Sequence, residues 1–361
     1  LILPLLTFPY LVRVLGVEIF GLVFFAQAFI SYFSLLAEYG FNFSGTREIS
    51  LIKNDKEKLN TTFNSILFAR FSLVLLGLLL LSILVFTIPK FRSDWELYFL
   101  TFGTVIGTSL FPIWFFQGME KMKFITILTS LSKVIFTISI FLFVKQKEDY
   151  LLVPLINSIG AVAAGIISLI LIKKRFKISF RIVKIQLVMQ QLIKGWYIFL
   201  STISTNIYTA TTTFILGLIT SNTIVGYYTI ADKCIRLIIA LFTPFIKAVY
   251  PHVVQLQHKS ETDAQDYVKN ILKYFVVIGF VSSLLAFIFA EYLFFILFDS
   301  NTEKSIMLFR ILTPLIFIIP IAGVLFNVVL LSFKMDKYFL KIYSTGALLN
   351  IFLLFVFLHV F

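Results

Sequence analysis

The chain has 361 residues, of which 59% are apolar and only 14% charged, and its mean hydropathy is +0.98. An ordinary soluble domain carries about 25% charged residues, so there is too little polar sequence here to cover a water-soluble exterior. The 44 Phe and 15 Tyr suit lipid contact and interfacial belts, and the single Cys234 excludes an internal disulfide without fixing a compartment.

A helix needs about 20 apolar residues to cross a bilayer. In chain order the sequence predicts spans at 1–13, 19–42, 63–88, 96–117, 124–144, 150–172, 196–219, 223–247, 268–291, 306–332 and 341–361, joined by short connections. The expected fold class is therefore an all-α integral membrane protein. No segment between spans is long enough for a soluble domain. Both ends are apolar, which reads as trimming of the chain.

Lys and Arg in the loops orient the bundle. The even-to-odd connections carry 19 of them, in the groups 47–58, 121–123, 173–194, 259–273 and 334–341. The odd-to-even connections carry six: Arg13, Lys90, Arg92, Lys145, Lys147 and Lys304. The richer side is expected to be cytoplasmic. Topology thus accounts for most of the net charge of +13, and no nucleic-acid partner is expected.

Residues 173–195 hold seven basic residues, and Ile178, Ile182, Ile185, Val188, Gln191 and Leu192 fall on one helical face. This reads as a cytoplasmic basic amphipathic linker lying on the inner leaflet. It divides the chain into an N-terminal transmembrane lobe (1–172) and an incomplete C-terminal lobe (196–361). A shift of 205 positions lays Phe20-Gly21 on Val225-Gly226, Ala26-Gln27 on Ala231-Asp232 and Thr7 on Thr212. A repeated pair of lobes around a central cavity is a transporter plan.

Within the apolar runs lie Arg70, Lys133, Lys233, Arg236, Lys247 and Arg310, against only Glu38 and Asp232. A cation at a helix centre costs roughly 2.5–3.5 kcal/mol on insertion scales. Such residues face a cavity or a partner, and this excess calls for water or an anionic ligand. Snorkelling is the alternative for Arg70, Lys247 and Arg310, which lie nearer span ends. Glu38 can pair with Arg47, and Asp232 with Arg236 four residues on. Lys133 sits near mid-span. Trp114, Tyr208, Tyr227 and Tyr228 can stack on sugars or simply pack. The span at 196–219 carries Ser201, Thr202, Ser204, Thr205, Asn206, Thr209, Thr211, Thr212 and Thr213, which suits either a hydrophilic lining or helix–helix hydrogen bonds. Pro112, Pro154, Pro244, Pro314 and Pro320 read as mid-helix kinks. The three His (His252, His258, His359) show no metal-ligand spacing, and no phosphate loop or nucleophile elbow is present. No metal, cofactor or catalytic residue is expected.

Several stretches resemble polysaccharide flippases of the multidrug/oligosaccharidyl-lipid/polysaccharide exporter superfamily. They are residues 8–16 (FPYLVRVLG) with Phe20-Gly21 and Gln27, residues 39–42 (YGFN) with Gly45-Thr46-Arg47-Glu48, residues 111–122 (FPIWFFQGMEKM), and residues 226–233 (GYYTIADK). The resemblance implies two six-helix lobes around a central cavity, with about 11 of 12 helices present, the first truncated and the last missing. It implies flipping of undecaprenyl-pyrophosphate-linked oligosaccharide across a bacterial inner membrane. A polysaccharide polymerase and a chain-length regulator would be partners beside the lipid-linked substrate and membrane lipids. Two rivals remain. A drug exporter of the same superfamily would carry acids in its cavity. An O-antigen polymerase or ligase would need a large outer loop with catalytic Arg or His, whereas the outer loops here are short.

Overall fold

A computed structural model describes residues 2–298 and 302–330, with isolated positions between 335 and 353. The side chains of Ser201, of residues 204–210 and of Lys247 lie outside this description, as does nearly all of the expected span 341–361. No strand occurs among the described residues. Eight helical stretches among them are long and apolar enough to cross a membrane, and the chain is an all-α, multi-pass integral membrane protein.

The helices run α1 (Ile2–Glu38), α2 (Phe41–Ile52), α3 (Lys56–Thr87), α4 (Pro89–Arg92), α5 (Trp95–Leu110), α6 (Ile113–Gly118), α7 (Lys123–Phe143), α8 (Leu152–Arg175), α9 (Ile185–Ile219), α10 (Asn222–Ala240), α11 (Thr243–Lys259), α12 (Glu261–Ile288), α13 (Ala290–Leu297), α14 (Glu303–Leu312) and α15 (Pro314–Gly323), followed by a π-helical segment Val324–Leu330. The chain divides into two compact units, one of Val14–Ile219 and one of Leu1–Arg13 with Thr220–Phe361.

The expected separation of spans 1–13 and 19–42 falls at a kink in α1 at Gly16, whose φ of 75° and ψ of 164° are open to glycine and almost nothing else. Of the five prolines expected as mid-helix kinks, Pro112, Pro244 and Pro314 lie within the apolar stretches Trp95–Gly118, Asn222–Gln257 and Glu303–Leu330, at the junctions α5–α6, α10–α11 and α14–α15, whereas Pro154 sits in the first turn of α8. A first turn has no use for the missing N–H, so proline fits there without loss. Pro320 alone lies inside its helix.

In the Val14–Ile219 unit, α5 and α8 cross through small residues. A Cβ on Gly107 would meet the Ala161 carbonyl carbon at 2.4 Å, and one on Gly165 would meet the Gly107 oxygen at 2.8 Å. Ser158 donates to the Leu100 carbonyl (2.5 Å) and Ser168 to that of Leu110 (3.4 Å). Lipid supplies no hydrophobic drive between helices, so close backbone approach and such hydrogen bonds hold this crossing. Farther along, Phe29 stacks on Phe91 (4.7 Å) and on Phe214 (5.4 Å). Toward the basic end of α3, the buried Phe41, Ile49, Phe63, Trp114, Phe115 and Ile178 form a core.

The basic linker differs from the expected surface helix. After α8 ends, residues 176–184 are non-helical, and helix resumes at Ile185 as the start of the 35-residue α9. The reason is local. Asn60 accepts the Ser179 N–H (2.7 Å), and Asn64 donates to the Ser179 carbonyl (2.9 Å) while accepting the Arg181 N–H (3.1 Å). Two α3 amides thus supply the backbone partners that an intra-segment helix would otherwise provide.

Candidate functional site

The sequence motifs meet at α2 and α6. Thr46 Oγ1 lies 3.0 Å from Gln117 Oε1 and 3.3 Å from the Trp114 carbonyl oxygen. A Cβ on Gly45 would touch the Trp114 ring at 3.2 Å, and one on Gly118 would meet Ile49 Cγ2 at 2.6 Å. Trp114 is fully buried, so it packs and cannot stack on a sugar. Around this joint, Glu48 accepts from Lys194 (3.1 Å) and Gln191 (3.3 Å), and Glu120 pairs with Lys53 (3.0 Å). These charges bind the polar ends of α2, α6 and α9 together.

Arg70 is buried in α3 at 2% exposure. Its guanidinium donates to the carbonyls of Thr108 (3.0 Å) and Phe111 (3.4 Å). Both carbonyls lie where α5 ends and Pro112, lacking an N–H, follows; each already accepts one backbone N–H, Thr108 from Phe111 (3.2 Å) and Phe111 from Ile113 (2.9 Å), and Arg70 takes up the second acceptor position. Inside a bilayer such groups must find protein partners. Arg70 is therefore engaged with the α5–α6 break. The nearest acidic influence on it is Glu38, half-buried at the end of α1. Glu38 and Arg47 form no ion pair among the described residues.

Lys133 is exposed on α7, in a run whose other exposed members include Leu131, Val134, Ile135 and Ile138. By helical spacing it shares its side of α7 with Thr126, Thr129 and the buried Thr137 and Ile140, about 100° round the helix from Ser132, which packs on Gly160 of α8.

In the other unit, Arg236 Nε donates to Asp232 Oδ2 at 2.6 Å, one turn apart on α10. Arg236 is exposed, and Lys233 is half-buried on the same helix. Lys304 stands over the Tyr227 ring at 5.8 Å. Arg310 donates to Glu291 (3.0 Å) and lies over the Phe287 ring at 5.6 Å. Glu291 closes the expected span 268–291 and was not counted among the intramembrane acids, so the cation excess is smaller than the sequence suggested. On α9, Thr211 and the Tyr32 hydroxyl are 3.1 Å apart, which is helix–helix hydrogen bonding at that position. Ser201, Ser204, Thr205, Asn206, Tyr208, Thr209 and Lys247 have side chains outside the described set.

Residues 1–257 match the family described as polysaccharide biosynthesis protein. The chain is 30% identical over 354 residues to a protein of Escherichia coli (strain K12) named "Putative O-antigen transporter", covering 98% of this chain and 85% of that one. A protein of the same name from Shigella dysenteriae is 28% identical over 254 residues, covering 70% of this chain and 64% of that one. No solved structure matches. A family match across more than half the chain places this membrane protein: it belongs to the polysaccharide biosynthesis protein family.

Proposed function

We propose that the chain is a transporter and not an enzyme, and that it flips undecaprenyl-pyrophosphate-linked O-antigen or related repeat units across the bacterial inner membrane. The observation that carries this reading is the alignment with the E. coli relative over 98% of the chain. The polar chemistry within the spans supports it. Lys133, Lys233 and Arg236 are the proposed phosphate contacts, since Arg and Lys are the side chains that bind phosphate. Asp232 holds Arg236 in the absence of substrate and releases it to the pyrophosphate, or takes up a coupling cation. Arg70 and Arg310 are assigned to structure by their carbonyl and Glu291 partners.

The test is genetic. A deletion strain is expected to lose one surface polysaccharide and to accumulate lipid-linked repeat units on the inner face of the membrane. Accumulation on the outer face would indicate a polymerase instead. Complementation with Lys133→Ala, Lys233→Ala or Arg236→Ala should restore export poorly at equal protein level, and normal export by all three would refute the phosphate contacts. Arg236→Lys should rescue only in part, because a planar fork becomes a point charge.

A further inference from the structure

Beside the extended segment that joins α8 to α9 lies a cavity of about 830 Å³, within the Val14–Ile219 unit. Its charged lining is Lys56 and Glu57 from the first turn of α3, Lys177 and Arg181 from the extended segment, and Lys184 at the threshold of α9. That is four cations against one carboxylate. Three other cations of this unit are paired with carboxylates: Lys53 with Glu120, Lys58 with Asp55 and Lys194 with Glu48. Lys56, Lys177, Arg181 and Lys184 make no side-chain hydrogen bond or ion pair among the described residues. The walls that carry them are fixed. The Asn60 and Asn64 amides hold the backbone of Ser179 and Arg181, Ile178 is buried at 1% exposure, and Lys177 turns the chain at a φ of 54°. A cluster of like charges held without counter-charges on a rigid frame is a preorganised anion site.

A second observation identifies the anion. At the lip of the cavity Ile182 is 90% exposed, and Ile185 follows at 74%. Exposed Met189 and Ile193 continue the row along α9 at four-residue spacing. An apolar stripe that begins among cations and continues along the start of α9 is placed for the boundary between headgroups and acyl chains. A soluble anion would have no use for it.

We propose that this cavity binds the phosphodiester headgroup of an anionic phospholipid, with Lys56, Lys177, Arg181 and Lys184 around the phosphate and Ile182 and Ile185 against the acyl chains. The bound lipid would join α3 to the start of α9 through charge, adding to the Asn60 and Asn64 clamp. This site does not rest on the transport reading, because none of its residues is a proposed substrate contact.

The test uses the full chain in detergent micelles, titrated with phosphatidylglycerol or phosphatidylcholine and read by native mass spectrometry as retained lipid. Phosphatidylglycerol is expected to be retained at least tenfold more tightly than phosphatidylcholine. The double variant Arg181→Gln/Lys184→Gln should weaken phosphatidylglycerol about 25-fold, at about fivefold per surface cation. Lys121→Gln/Lys123→Gln removes the same charge from residues that do not line the cavity and should leave retention unchanged. Equal retention of the two lipids by the unaltered chain would overturn the proposal whatever the variants do. So would equal weakening in both double variants, or displacement of phosphatidylglycerol by inorganic phosphate at matching concentration.

Discussion

Arg70 separates a structural from a substrate-binding cation more sharply than any other residue in the spans. Its contact to the Thr108 carbonyl at 3.0 Å is a full charge-assisted hydrogen bond, while that to Phe111 at 3.4 Å is long and weak. A hydrogen bond to a charged group contributes about 1.5–3 kcal/mol. Arg70→Met keeps most of the side-chain volume but removes both bonds, leaving each carbonyl only the backbone N–H it already accepts. It should destabilise the protein by about 1–3 kcal/mol, the lower end reflecting relief from burying a charge. Arg70→Lys offers a single ammonium and should recover about half. The measurement is the fraction of detergent-solubilised protein that stays monodisperse on size-exclusion chromatography after a series of heating steps. Export per folded molecule should be nearly unaffected. A stable Arg70→Met protein that fails to export would refute the clamp and return Arg70 to the substrate contacts.

Three further outcomes follow from the same geometry. Gly107→Val should prevent assembly of the α5–α8 crossing, since even a Cβ meets Ala161 at 2.4 Å, whereas Gly77→Ala, with nothing nearer than 3.5 Å, should be neutral or slightly stabilising; yield of monodisperse protein distinguishes them. In a double-mutant cycle, Thr46→Ala and Gln117→Ala should show a coupling of about 0.5–1.5 kcal/mol in thermal stability, from their 3.0 Å contact; additive losses would mean that the motifs meet without supporting one another. Asp55 caps α3 by accepting the Lys58 N–H, a bond that holds its carboxyl below the ordinary carboxylate value, with help from the Lys58 side chain. The cap's contribution is therefore present above the unfolded carboxylate value and disappears as pH falls through the lowered one, so exchange at the Lys58 amide, corrected for its intrinsic rate, should accelerate only on strong acidification, and Asp55→Asn should flatten that response.

Most of the membrane architecture was readable in the sequence, because a 20-residue apolar run has few alternatives in a chain with so little charge. What escaped was set by contacts distant in sequence. Nothing in residues 173–195 announces that Asn60 and Asn64, more than 110 positions earlier, will hold the backbone extended. Glu291 looked like the end of a span until the fold brought Arg310, 19 residues later, within 3.0 Å. Proline marks breaks that hydropathy averages across: Pro112 and Pro314 fall inside apolar runs, at the junctions α5–α6 and α14–α15. The motifs were legible as a signature, but their task was not: Trp114 and Gln117 face α2 and not a ligand.

The two units solve one problem in the same way. Where a helix breaks inside a membrane, water cannot serve the carbonyls of the break, and a side chain from a neighbouring helix adds a second donor to the backbone N–H each already accepts. At the α5–α6 break that side chain is Arg70; at the break between α14 and α15 it is Ser283 of α12, which donates to the Thr313 carbonyl at 2.9 Å. The choice of residue follows from what each break exposes. The first leaves the carbonyls of Thr108 and Phe111, three positions apart, which a forked guanidinium can span and a hydroxyl cannot. At the second, the Thr313 hydroxyl already donates to the Arg310 carbonyl at 2.7 Å, leaving Ser283 a single carbonyl to serve. An intramembrane cation is thus no marker of substrate contact until the carbonyls within its reach have been counted. By that criterion Arg70 belongs to the scaffold, whereas Lys133, exposed within the apolar run of α7, makes no side-chain hydrogen bond or ion pair among the described residues that would explain its charge.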